Sequence, residues 1–176
     1  MHNFSEILFK VLVDIRIHPE VKIGHVHLTV ANLERSLKFY RDLLGFEITS
    51  NYGNQAVFLS AGGYHHHIGL NTWAGKGAVP PPDGHTGLYH FALLYPNRKE
   101  LARILKRLYE VNYKIEGASD HGVSESVYLQ DPDGNGVELY ADRIPSEWPV
   151  DNDGNLLMTT KPINLIDLLS ELDNDY

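Results

Sequence analysis

The chain has 176 residues, 43% of them hydrophobic and 22% charged, which suits one globular domain with a sizeable core. It has no cysteine, which excludes disulfides, zinc–thiolate sites and cysteine nucleophiles, and a formal charge of −8, which speaks against a nucleic-acid partner. No apolar run approaches the roughly 18 residues of a membrane span and no signal peptide is evident, so a soluble cytoplasmic protein is expected.

Residues 4 to 15 place Phe4, Ile7, Leu8, Val11, Leu12 and Ile15 at helical spacing, an amphipathic extension over 1–20 suited to packing or to contact between copies in a homo-oligomer. From Lys22 to Val30 the chain alternates, with Val26, Leu28 and Val30 on one face and His25, His27 and Thr29 on the other, as in a half-buried strand. Asn32 caps a helix bearing Leu33, Leu37, Tyr40 and Leu44, and Gly45 stands just past its end. Strand-like runs follow at 46–51, 55–60 and 64–71, then a Gly- and Pro-rich loop at about 73–87.

The order then repeats. Leu88 to Tyr95 reads as a strand containing His90; Asn97 caps a helix with Leu101, Ile104, Leu105 and Leu108, and Glu100 completes a capping box. Strands are expected at about 113–118, 124–130 and 135–141, the last two joined by the Asp131-Pro-Asp-Gly turn. The organisation is βαβββ twice, at about 22–72 and 88–141, inside one domain spanning 21–142. Residues 143–176 form a connector and a short helix bearing Ile163, Ile166, Leu169 and Leu172. The fold class is α+β: one cupped mixed sheet, with helices on its convex face and the polar sides of its strands facing the cavity.

Ten histidines stand out, six of them at 25, 27, 65, 66, 67 and 90. His25 and His90 occupy matching places 65 residues apart, and Glu138 sits on the last strand between Val137 and Leu139. Each of these alone reads as a surface or structural group. Together, two imidazoles and one carboxylate from three strands form the set that holds non-haem Fe(II), or Mn(II), on one face and leaves the other face open. In the run Tyr64-His65-His66-His67, alternation puts His65 and His67 on one face and His66 on the other, and which faces the cavity stays open.

Residues 22 to 141 resemble the vicinal oxygen chelate superfamily, whose domains pair two βαβββ units. Within it, His121, Val127-Tyr128, Asp131-Pro132, Gly134 and Glu138 fit the spacing of the extradiol ring-cleavage dioxygenase signature; Ser119, two before the histidine, departs from the preferred residue types. The stretch Ile68-Gly-Leu-Asn-Thr-Trp, the Pro-rich loop and the Trp148/Met158 tail look like the subgroup related to catechol 2,3-dioxygenases, in a one-domain form. The resemblance implies metal ligation by His25, His90 and Glu138, an acid–base role for His66 and substrate contact by His121 and Tyr128. It implies an aromatic diol and O2 as partners, with Fe(II), or Mn(II), as cofactor. Other members of the superfamily are glyoxalase-like lyases, thiol transferases and metal-free drug-binding proteins. The three intact ligand positions speak against the last, and the lack of a glutamate at the end of the first repeat speaks against the first two.

Overall fold

Asn32 and Asn97 start the helices of the two repeats in the same way. Each has extended backbone, and each side-chain oxygen accepts the N–H three residues on, Arg35 at 3.0 Å and Glu100 at 2.9 Å. The structure is a computed structural model that describes residues 16–82 and 84–173; the expected helix at 4–15 lies outside the described residues. The first repeat comprises β1 (Val26–Thr29), α1 (Leu33–Leu37, running on as a π-helical stretch Lys38–Leu43), β2 (Glu47–Tyr52), β3 (Ala56–Ser60) and β4 (Ile68–Asn71). The second comprises β5 (Phe91–Tyr95), α2 (Arg98–Glu110), β6 (Gly117–Asp120), β7 (Ser124–Gln130) and β8 (Gly136–Asp142). A two-residue strand β9 (Lys161–Pro162) and α3 (Leu165–Ser170) follow.

The repeats share one topology. Strand orders are β1-β4-β3-β2 and β5-β8-β7-β6-β9, with β1–β4 and β5–β8 parallel and the rest antiparallel. Hydrogen bonding therefore divides the expected sheet into a four-stranded and a five-stranded ladder. β1 and β5 are the inner edges, and residues on both, with Leu44, Phe46 and Tyr140, line a cleft of about 930 Å³.

Period-3.6 and period-2 faces meet in the core. Leu101, Ile104, Leu105 and Leu108 of α2 join Val127 and Leu129 of β7 and Val137 and Leu139 of β8, all buried. Burying each such side chain stabilises by about 1.5–3 kcal/mol. The repeats are fastened by the turn before β8. Tyr40 donates to Asp131 Oδ2 at 2.8 Å, both groups buried, while Asp133 accepts from Arg35, from the Ala31 N–H at 3.0 Å and from Ser36 Oγ at 3.3 Å.

Two local expectations are corrected. Residues 64–67 do not continue β4. The ladder's bonds end at His67, whose N–H donates to the Leu59 carbonyl at 2.8 Å and whose carbonyl accepts the Val26 N–H at 3.0 Å; before it Thr49 Oγ1 donates to the His65 carbonyl at 2.7 Å, and the His67 ring sits 3.1 Å from Ser60 Oγ. The capping box is half made, because the Glu100 carboxylate pairs with Arg103.

Candidate active site

The β7–β8 hairpin sets the second repeat's share of the site. Asp131 Oδ1 accepts the N–H groups of Asp133 and Asn135 at 2.8 and 2.9 Å, and Gly134 takes φ +83°, a left-handed value that glycine adopts without strain. The turn fixes the register in which Tyr128 faces Glu138 directly across the strands. Alternation sends Val127, Leu129, Val137 and Leu139 to the helices and leaves Tyr128 and Glu138 on the open face.

His90 reaches that face because residue 136 is a glycine. A Cβ there would lie 2.1 Å from the Tyr89 carbonyl oxygen and 3.0 Å from His90 Cβ. With the space clear, His90 Nε2 comes within 3.0 Å of Glu138 Oε2. Sequence reasoning missed Gly136; a glycine opening an alternating strand was the available signal, since it marks a close backbone approach.

His121 and Tyr128 extend this arrangement. The Tyr128 hydroxyl lies 2.5 Å from His121 Nε2 and 3.3 Å from Glu138 Oε1, so its single proton goes to the nearer acceptor. His121 Nδ1 is 2.7 Å from the Thr159 carbonyl oxygen, which only accepts. The imidazole therefore carries its proton on Nδ1 and presents Nε2 as acceptor. Thr159 is in place because its N–H bonds back to the His121 carbonyl at 3.0 Å and β9 pairs with β6. Burial, with the Glu138 carboxylate nearby, pushes the Tyr128 hydroxyl above its ordinary range.

The first repeat brings a second group of rings together. His25 and His66 stand 4.5 Å apart between ring centroids, and His65 Nδ1 lies 2.7 Å from His66 Nδ1. His67 is engaged instead by Ser60 and by the Ala61 N–H at 3.3 Å. Burial and then the neighbouring His25 and His65 rings lower the pKa of His66, favouring its neutral form. His25, His67 and His90 all line the cleft between the repeats.

Of the six expected site residues, His90, Glu138, Tyr128 and His121 form one contiguous set, and His25 and His66 another. Among the described residues no three of His, Asp and Glu gather closely enough to close a metal shell. The donor chemistry nevertheless fits a divalent cation. Two donor atoms at about 2.1 Å on adjacent octahedral positions lie about 3 Å apart, the separation of His90 Nε2 and Glu138 Oε2. His25 lines the same cleft as His90.

Residues 22–139 match the profile described as Glyoxalase/Bleomycin resistance protein/Dioxygenase superfamily, and the chain belongs to that superfamily. It is 45% identical over 156 residues to the catechol-2,3-dioxygenase of Bacillus subtilis (strain 168), covering 88% of this chain and 53% of that one. Biphenyl-2,3-diol 1,2-dioxygenase 3 of Rhodococcus globerulus is 31% identical over 124 residues, 70% of this chain and 64% of that one. The chain thus spans about half the length of the first of these relatives and under two thirds of the second. A glyoxalase/dioxygenase from Nostoc punctiforme shares the fold, with a TM-score of 0.60 at 21% identity over 74% of this chain and 99% of that one. No helix among the described residues is long and apolar enough to cross a membrane.

Proposed function

We propose that the chain is an extradiol ring-cleavage dioxygenase acting on a catechol-type aromatic diol with O2, with His25, His90 and Glu138 holding Fe(II), or Mn(II). The observation that carries this reading is the continuous set His90–Glu138–Tyr128–His121, in which a metal-type donor pair adjoins a hydrogen-bonding pair on one open face. The similarity to dioxygenases named for catechol and for biphenyl-2,3-diol supports the same substrate class. When bound, the cation would supply the redox chemistry and the anchoring of the two diol oxygens.

The chain's own residues would do the rest. Glu138 and His90 would offer one donor each and His25 a third, a set that leaves positions open for a ligand with two adjacent oxygens. His66, kept neutral by its surroundings, can accept a proton from the diol and later return it. With its proton directed to His121, the Tyr128 hydroxyl oxygen would be left to accept a hydrogen bond from a substrate hydroxyl. The covered strand faces keep the site anchored on stiff elements.

The test is anaerobic reconstitution with Fe(II), then oxygen uptake with a panel of catechols. Formation of yellow ring-fission product is expected. Glu138→Gln should lower metal occupancy at least tenfold while the protein stays folded. Full occupancy in that variant, or no oxygen uptake with any diol by the loaded wild type, would overturn the reading.

A further inference from the structure

Successive side chains on a strand point to opposite faces, so neighbouring histidines there would face apart. His65 and His66 do the opposite. The chain bends ahead of β4, and the two rings meet Nδ1 to Nδ1 at 2.7 Å. The pair is braced on its flanks. Thr49 Oγ1 donates to the His65 carbonyl at 2.7 Å. The Tyr64 ring lies 4.0 Å from the His65 ring, while His66 packs against Phe58 at 5.1 Å and His25 at 4.5 Å between centroids. His65 is exposed and His66 half-buried, so solvent reaches the pair. Two neutral imidazoles this close share one proton, one Nδ1 donating and the other accepting. The ring-cleavage reading uses His66 alone and gives His65 no task.

We propose that His65 and His66 form a second cation site, separate from His25, His90 and Glu138, which takes a nickel- or copper-type divalent ion through both Nδ1 atoms, with water filling the remaining positions. On binding, the donating ring moves its proton from Nδ1 to Nε2, so both rings stay neutral and both Nδ1 lone pairs turn to the ion. The geometry selects the class of ion. Metal–nitrogen bonds of about 2.1 Å to nitrogens 2.7 Å apart enclose an angle of about 80°. That is close to the right angle of square-planar and octahedral ions, whereas tetrahedral zinc sets its nitrogens about 3.4 Å apart. Imidazole suits nickel and copper, and hard ions such as magnesium prefer oxygen. The site also bears on turnover, and this part rests on the ring-cleavage reading. With the ion on Nδ1 and a proton on Nε2, His66 has no lone pair left to take a proton from the diol. Nickel therefore inhibits without displacing the first metal.

The test is an anaerobic calorimetric titration of the Fe(II)-treated chain with Ni(II), with Zn(II) as the comparison ion. Ni(II) should bind wild type at least tenfold more tightly than it binds His65→Asn, and should bind Glu138→Gln within twofold of wild type. Zn(II) should bind wild type more weakly than Ni(II) does. With catechol and O2, His65→Asn should turn over within twofold of wild type in the absence of nickel. It should then need at least tenfold more Ni(II) for half-inhibition. Binding or inhibition by Ni(II) that is equal in wild type and His65→Asn would overturn the proposal. So would loss of Ni(II) binding in Glu138→Gln, which would place the ion at the first site, or Zn(II) binding more tightly than Ni(II). A tenfold dependence of Ni(II) binding on His65, with no oxygen uptake with any diol, would uphold the second site and sink the ring-cleavage reading.

Discussion

At Gly136 one absent carbon decides whether His90 and Glu138 meet. Adding it in Gly136→Ala sets a Cβ against the Tyr89 carbonyl, which is backbone and cannot swing aside. The expected cost is about 1–3 kcal/mol of stability, the usual range for overpacking. Metal occupancy should also fall, because β5 must move away from β8. A calorimetric melt and a metal assay check both; an unchanged melting temperature would mean that the close approach is not real. His121 gives a second residue-level prediction. With Thr159 accepting from Nδ1, nitrogen-15 NMR of the metal-free protein should show the neutral ring protonated at Nδ1 and bare at Nε2. Protonation at Nε2 would break the hydrogen-bond direction from Tyr128 to His121.

At the scale of elements, much of the fold was legible because each signal was local. The hairpin strands Ser124–Gln130 and Gly136–Asp142 follow from alternation around a turn whose residues each have a job. Both helix starts follow from their asparagines. The pairing of Glu138 with Tyr128 follows from register, and His25 and His90, expected within the first strands, each stand one residue before them, still at matching places in the two repeats. What was not legible depends on distant partners. The bends at 64–67 answer to Thr49 and Ser60, and β9 exists only because β6 offers an edge. The clamp on α2 is of this second kind. Arg98 opens the helix and binds Glu125 of β7 at 2.6 Å, Asp167 of α3 at 2.6 Å and Glu171 just beyond α3 at 2.5 Å. Burial works against its charge, but the three carboxylates hold the guanidinium well above its usual range. Arg98→Met would leave Glu125, which is largely buried, with Arg143 alone. A loss of about 2 kcal/mol is expected, read by urea denaturation, with α3 released first in hydrogen exchange. A change within experimental error would show the clamp to be a surface pair.

For the molecule as a whole, stability at high pH is tied to the buried Tyr40 and to Tyr95 and Tyr113, which are half-buried against the core. Burial, with Asp131 beside it, raises Tyr40 well above its ordinary value; burial raises Tyr95 to about 12 and, with some help from Asp131, Tyr113 to about 12. A free tyrosine ionises near pH ~10, so the folded state holds these protons more tightly than the unfolded chain does. Their contribution is complete below that pH and is lost as pH rises through the folded values. Absorbance at 295 nm should show the exposed tyrosines ionising first, and these three only as the chain unfolds between about pH 10 and 12. Ionisation of all ten together, with the fold intact, would contradict the burial.

The turn that fastens the repeats also says something about descent. If the two βαβββ units arose by duplication, their helices align with an offset of 65, which carries Asn32 onto Asn97 and His25 onto His90. The same offset carries Arg35, Ser36 and Tyr40, the three side chains that receive the Asp131–Asp133 turn, onto Glu100, Leu101 and Leu105. Two copies of the second unit would therefore present a pair of carboxylates to an acid and two leucines. The halves have become plug and socket, and neither can any longer stand in for the other.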